Sequence, residues 1–206
     1  MSVYSRYVFP WLMDLVMSGR RHAELRPGVL RDAQGDVLEV GFGTGLNLAH
    51  YPEHVGRLTI LEPNPGMRRF WPRRFAASQV EVEEIPATPG GAAALPSEAF
   101  DTVVCTWTLC SVQDALAFLG DIHRALRTGG KLLFIEHGLS PESRVARWQR
   151  RLNGINRRLG AGCNLNRDIG ALLRASPLSV ERLETFYIPR MPRIGGYQYA
   201  GVAVKR

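Results

Sequence analysis

Short apolar runs and longer stretches with three- and four-residue spacing alternate along the chain. Runs at 37–40, 58–61, 100–106 and 131–136 are almost continuously apolar, as strands buried on both faces require. Residues 80–85 instead alternate at period two, and 180–188 and 197–204 are bounded by turn residues, giving seven predicted strands. Between them the spacing changes to helical. Over residues 8 to 25, Phe9, Leu12, Leu15 and Val16 share a stripe that Trp11 broadens, Pro10 falls in the first turn, and Arg20, Arg21 and His22 crowd the far end. Residues 115–126 predict a helix closed by a cationic turn and Gly129-Gly130. Residues 140–160 form the clearest amphipathic pattern, opened by Ser140-Pro141-Glu142, with Val145, Trp148, Leu152, Ile155 and Leu159 on one face and six arginines elsewhere. A further helix starts in 162–168 and runs to about Ser176. Strands alternating with helices predict an α/β architecture with a mostly parallel sheet. The two amphipathic stripes are expected to pack inward; the alternatives are that the first closes over a ligand, and that either lies on a lipid surface.

The first strand runs into Gly41-Phe42-Gly43-Thr44-Gly45, and Leu46-Asn47-Leu48-Ala49 reads as the first turn of a helix. Strand, bare glycine turn and helix present backbone N–H groups to a nucleotide-like ligand at the carboxyl edge of a sheet. Glu62 ends the second strand ~20 residues beyond Gly41, where an acid takes both ribose hydroxyls. A dinucleotide fingerprint would place its last glycine at 46, which is leucine here. Glu39 just before the turn would also face a pyrophosphate badly, and the amino group and sulfonium of S-adenosylmethionine well. With Glu39, the glycines and Glu62, the stretch resembles motif I of the class I S-adenosylmethionine-dependent methyltransferases. Phe100-Asp101-Thr102-Val103-Val104 is also typical of that family.

The resemblance implies one doubly wound, Rossmann-like domain over 1–206: a seven-stranded, mostly parallel sheet with an antiparallel last strand and helices on both faces. Residues 1–34 would be a helical cap, 35–136 the cofactor-binding core and 137–206 the substrate-side helices and final strand pair. It implies S-adenosylmethionine as cofactor, held by Glu39, Gly41, Gly43, Gly45, Asn47, Glu62, Pro63, Thr106 and Trp107. The loop after the third strand usually carries an Asp for the adenine amino group; Ala87 and Thr88 stand there instead, so a backbone group or the Thr88 hydroxyl is the expected contact. No Asn/Asp-Pro-Pro-aromatic motif follows the fourth strand, which counts against nucleic-acid or glutamine substrates. Thr108-Leu109-Cys110-Ser111-Val112, Glu136-His137, Gly162-Cys163-Asn164-Leu165 and the region from Gly196 to Gly201 resemble a narrower group of thiol and phospholipid methyltransferases. The long apolar N-terminal anchor of its membrane-associated members is not found in this sequence.

That narrower resemblance implies a small, partly apolar acceptor, most plausibly a thiol, otherwise an O or N nucleophile, with a phospholipid headgroup as the alternative. Thr108, Cys110, Cys163 and Tyr197 are expected to line its pocket, and His137, at a strand tip, is the candidate base. A thiol with a pKa near ~8.5 is already partly ionised at neutral pH, so a base helps without being indispensable. No cluster has metal-ligand spacing in the sequence, so no metal is expected, which argues against a magnesium-dependent catechol type of enzyme.

Composition adjusts this picture little. The 206 residues suffice for one domain with a substantial core, and the net charge of +7 makes RNA or anionic lipid worth considering as partners. No RNA-binding motif appears, so a purely RNA-binding or non-catalytic cofactor-binding module is the weaker reading. Three cysteines without spacing motif fit reduced thiols in a cytoplasm. There is no run of ~18 apolar residues and no signal-peptide pattern, so the expected location is cytoplasmic, with peripheral membrane contact as an addition.

Overall fold

A computed structural model describes residues 3–86 and 91–206. The strands are β1 (Val37–Val40), β2 (Arg57–Leu61), β3 (Glu81–Glu84), β4 (Phe100–Thr106), β5 (Leu126–His137), β6 (Ser179–Tyr187) and β7 (Tyr197–Val204). They form one sheet in the order β3-β2-β1-β4-β5-β7-β6. The first five are mutually parallel, and β7 runs antiparallel to both β5 and β6. Strand order reverses between β1 and β4, so their carboxyl ends part there and leave the crevice where open α/β sheets bind ligands.

The helices are α1 (Phe9–Met17), α2 (Arg20–Ala23), α3 (Arg26–Leu30), α4 (Trp71–Ala76), α5 (Ala115–Ala125), α6 (Ser143–Leu159), α7 (Ile169–Ala175) and α8 (Arg193–Gly196). Side chains alternating along the strands feed two cores. Leu38, Val103, Leu132 and Phe134 pack with Leu119 and Ile122 of α5 and Ile169 and Leu173 of α7. Val37, Leu58, Ile60, Val104 and Leu133 pack with Leu30 of α3 and Trp71 and Phe75 of α4. Helices therefore cover both faces, as expected.

Several helices depart from their predicted form. The stretch 8–25 is two helices, because Gly19 takes an extended conformation (φ −58°, ψ 143°) between α1 and α2. Leu12, Leu15 and Val16 are exposed with Trp11, so the predicted stripe does not pack on the sheet. After the glycine turn there is only a 3₁₀ turn, Leu48–His50, in place of a helix. Pro52 accounts for this, since it holds Tyr51 extended (φ −65°, ψ 142°). The segment after Pro63-Asn64-Pro65-Gly66-Met67 does keep its expected form: with Pro72 inside it a short or bent helix is predicted, and it is a 3₁₀ turn, Met67–Phe70, running into the short α4. No glycine cap follows α5; Leu126 is already extended and β5 starts at once. α7 starts only at Ile169, where the Asp168 carboxylate caps it by accepting from Ala171 N–H.

The largest reversal concerns α6. Its buried residues are Val145, Ala146 and Gln149, while Trp148, Ile155 and Leu159 of the predicted apolar stripe are exposed. Amide side chains dock it instead. Gln149 accepts from Ser140 N–H at 2.9 Å and donates to the carbonyls of Gly138 (3.0 Å) and Ile194 (2.9 Å). Asn153 Oδ1 accepts from Leu165 N–H, and Asn156 Nδ2 donates to Cys163 O. No helix among the described residues is long and apolar enough to cross a membrane.

This inversion can be checked by substitution. Gln149→Leu strands a buried N–H and two carbonyls, and should lower the unfolding free energy by on the order of 2–4 kcal/mol. Ile155→Ser, in the predicted stripe, should change it by less than about 0.5 kcal/mol. Urea unfolding with unchanged m-values measures both; equal, large losses would mean that the apolar stripe is buried after all.

Candidate active site

At the crevice lies a cavity of about 420 Å³, within the size range of small-molecule sites. Its floor is the end of β1 and the glycine turn: Glu39, Val40, Gly41, Phe42, Gly43 and Thr44. Glu62, Pro63 and Asn64 close one side, and Thr106, Trp107, Thr108 and Ser111 the other. Phe9, Met13 and Met17 of α1 reach over it. Of the readings open for this first helix, closing over the ligand site is the one its inner face adopts.

The turn works because three of its five positions, Gly41, Gly43 and Gly45, carry no side chain. Gly41 (φ +75°) packs against Thr108, whose Oγ1 would lie 2.1 Å from an added Cβ. At Gly43 (φ +58°) no atom of the described residues beyond its chain neighbours comes nearer than 3.8 Å to the same position, so a side chain there would point toward open space at the cavity wall. Gly45 (φ +83°) lies against the Phe42 ring and outside the cavity lining.

Two buried acids face this space. Glu39 accepts from Asn47 Nδ2 at 2.8 Å and from Tyr51 O–H at 2.7 Å, and Asn47 also donates to Thr106 Oγ1 at 3.0 Å. Burial pushes the Glu39 carboxyl up to about 7, against the pull of these hydrogen bonds and of the Arg26 guanidinium. Arg26 is itself buried and lowered to about 10 by desolvation; it donates to Asn47 Oδ1 and lies 4.9 Å from the Trp107 ring centroid. Glu62 accepts from Gly43 N–H and Asn64 N–H, each at 2.7 Å, so it fixes the turn as well as bordering the cavity. Desolvation raises its carboxyl too.

Beyond Trp107, itself at φ +51°, the wall hangs on a third acid. Glu136 is fully buried and accepts from the N–H groups of Thr108 (2.6 Å), Leu109 (2.8 Å) and Cys110 (3.2 Å). Behind this wall Cys110, His137 and Cys163 converge, their donor atoms all within 4.8 Å of one another. His137 Nε2 sits 2.9 Å from Cys163 Sγ, and its Nδ1 is buried without a hydrogen-bond partner among the described residues. The Cys163 thiol is pushed up, first by its hydrogen bond with Cys110 and then by burial. None of the three is itself on the cavity wall, although Ser111 and Ala161, their close neighbours in sequence, are.

Placed against the sequence reading, Glu39, Gly41, Gly43, Glu62, Pro63, Thr106, Trp107 and Thr108 line the cavity. Asn47 stands behind Glu39 and orients it. Tyr197 is not brought there; it stacks between Tyr187 (5.0 Å) and Tyr199 (5.3 Å). Thr88 and Ala87 lie outside the described residues. Sequence reasoning missed Arg26, Tyr51, the roof residues Met13 and Met17, and the cluster of two thiols with one imidazole. The cluster's members are 26 or more positions apart, and no spacing rule reaches so far. Arg26 follows a run of charged residues and reads as solvated.

Comparison with known proteins agrees with this geometry. Residues 38–134 match the methyltransferase domain family. The thiol S-methyltransferase TMT1B of Homo sapiens is 36% identical over 189 residues, 85% of this chain and 77% of that protein. A methyltransferase structure from Bacillus halodurans C-125 superposes with a TM-score of 0.67 at 15% identity, covering 89% of this chain and 98% of that one. Geranyl diphosphate C-methyltransferase of Streptomyces coelicolor A3(2), solved with Mg2+, geranyl diphosphate and S-adenosyl-L-homocysteine, superposes with a TM-score of 0.63 at 17% identity, covering 89% and 76%. With its strand order, glycine turn and paired acids, the chain belongs to the class I, Rossmann-like S-adenosylmethionine-dependent methyltransferases.

Proposed function

We propose that this enzyme methylates the thiol of a small, partly apolar acceptor. The observation that carries the reading is the division of the cavity: buried acids and bare backbone on the floor, Phe9, Met13 and Met17 over it. The 36% identity to a thiol S-methyltransferase supports the same acceptor. When bound, S-adenosylmethionine supplies a methyl group already activated on a sulfonium. The chain's own residues then bind, orient and exclude water. Gly41 and Gly43 let the ligand approach the backbone, Glu39 offers negative charge to the amino and sulfonium groups, and Glu62 borders the ribose position. Thr106 and Trp107 continue the cofactor wall, and Thr108 and Ser111 begin the acceptor side. The roof of α1 suits an apolar acceptor and keeps water out.

A second reading is favoured by one surface. Trp11, Leu12, Leu15 and Val16 of α1 and Trp148, Ile155 and Leu159 of α6 are exposed, and the Tyr4 O–H links the two regions by donating to Leu159 O at 2.8 Å. Arg147, Arg150, Arg151, Arg157 and Arg158 surround the α6 patch. Apolar side chains ringed by arginines suit an anionic lipid surface, from which an apolar thiol or a phospholipid headgroup would be taken.

Three outcomes are expected. Offered thiols, phenols, amines and phosphatidylethanolamine with labelled cofactor, the enzyme should transfer the methyl most rapidly to thiols; faster transfer to the phospholipid would replace the thiol reading. Gly43→Val should abolish cofactor binding in calorimetry at a measurable cost in stability, since it places a branched chain in the open side of the turn at positive φ. Cofactor affinity should also fall with acidity. Below about pH 7 Glu39 is increasingly protonated, whereas a bound cation favours the carboxylate, so affinity should drop by up to about tenfold per pH unit, with release of a proton on binding. Glu39→Gln should flatten that dependence; a slope unchanged in the variant would move the linkage to another group. For the lipid surface, failure to float with phosphatidylglycerol vesicles at low salt refutes contact.

A further inference from the structure

We propose that Cys110, His137 and Cys163 form a site for a soft divalent metal ion, zinc foremost, whose open fourth position takes the acceptor thiol. The use of that position rests on the thiol reading above; the metal site does not. The three residues come from the loop after β4, the tip of β5 and the loop after α6, and their donor atoms fall within 4.8 Å of one another. Zinc holds cysteine sulfur at about 2.3 Å and histidine nitrogen at about 2.0–2.1 Å, which spaces donors in a tetrahedron by roughly 3.5–3.8 Å. The present contact of 2.9 Å between His137 Nε2 and Cys163 Sγ is tighter than that, so this pair opens and the trio evens out by small side-chain rotations.

The backbone that carries the donors is already fixed. Cys110 N–H is held by Glu136, and the Cys110 carbonyl accepts from both the N–H and Nδ2 of Asn164, each at 2.9 Å. Asn156 Nδ2 holds the Cys163 carbonyl at 2.8 Å. Gly162, at φ +100°, turns Cys163 toward the loop, and an added Cβ there would come within 3.2 Å of Ser111 O. With Nδ1 buried and unpartnered, Nε2 is the nitrogen that points at the sulfurs, and a metal there leaves the ring's proton on Nδ1. Two sulfurs and an imidazole select zinc-like ions; magnesium and calcium want oxygen. Cys105, the remaining cysteine, is directed to Glu136 at 3.6 Å and takes no part.

Three protein donors with a vacant fourth position is the arrangement of catalytic zinc. Ser111, whose Oγ lies 3.5 Å from Cys110 Sγ, is on the cavity wall, and so is Ala161, two residues before Cys163. When the ion binds, the S–H bonds of Cys110 and Cys163 break as their sulfur–metal bonds form, and both protons pass to water; an acceptor thiol entering from the cavity would then replace a water on the metal. Its sulfur–metal bond forms, its S–H bond breaks and the proton passes to water, leaving a thiolate at neutral pH without a dedicated base.

The test uses the full chain, reduced with a phosphine, and cobalt(II) as the probe. The wild type should bind about one cobalt per chain with a thiolate-to-cobalt band in the near ultraviolet, and retain a comparable amount of zinc after desalting. The band should fall by about half in Cys110→Ser and in Cys163→Ser, and vanish in the double variant. Benzyl mercaptan should shift it, and benzyl methyl sulfide should not. Absence of band and of retained zinc in the folded wild type overturns the site, as would a band that survives in the double variant. Thiol methylation by an enzyme without a cobalt band would sink the metal alone. A cobalt band in an enzyme that spares thiols would sink the acceptor reading alone.

Discussion

The far wall of the cavity, beyond the glycine turn, depends on one buried carboxylate. Glu136 sits at 0% exposure and receives three consecutive backbone N–H groups from the loop after β4. A charge taken from water is costly unless its lone pairs are filled, and these donors fill them, so the loop is held where the carboxylate needs it. Desolvation still raises the Glu136 carboxyl above its ordinary range. The loop then determines everything beyond the glycine turn: Trp107 and Thr108 on the wall, Thr108 against Gly41, and Cys110 beside His137 and Cys163.

Much of the sheet was legible in the sequence because a buried parallel strand leaves a simple signature. β4 (Phe100–Thr106) and β7 (Tyr197–Val204) fall on their predicted residues, and β6 is displaced by one. Helices were harder, for reasons visible in single residues. Pro52 truncates a segment that reads as the first turn of a helix, whereas Pro72 shortens its helix as the sequence itself indicates. In α6 the misleading signal was the apolar stripe itself, since Gln149, Asn153 and Asn156 dock the helix by hydrogen bonds that no hydrophobic periodicity encodes.

The candidate site divides in the same way. The cofactor half is local: Glu39, the glycines and Glu62 lie within 24 positions, and their spacing carries its own chemical meaning. The rest of the cavity lining is assembled from segments far apart, so Arg26, Ser111 and Ala161 meet only in the folded chain. The narrower resemblance and a strand-tip position marked Cys110, Cys163 and His137 as candidates, but not that their donor atoms would converge behind the cavity wall.

Trp107 carries a consequence for how the site comes into being. Its ring takes the edge of His22 at 5.4 Å and the guanidinium of Arg26 at 4.9 Å, and its indole N–H donates to Gln198 on β7 at 2.9 Å. One side chain thus joins the start of the chain to its last strand. β7, although last in sequence, lies between β5 and β6, so β6 has no neighbour in the sheet until β7 is inserted. Such distant pairings are slow to close. During synthesis the strands around the glycine turn and its acids emerge well before β7, on which the Trp107 side of the cavity depends. A ribosome-bound chain would therefore present the glycine turn and its acids before the Trp107 side of the cavity could be completed.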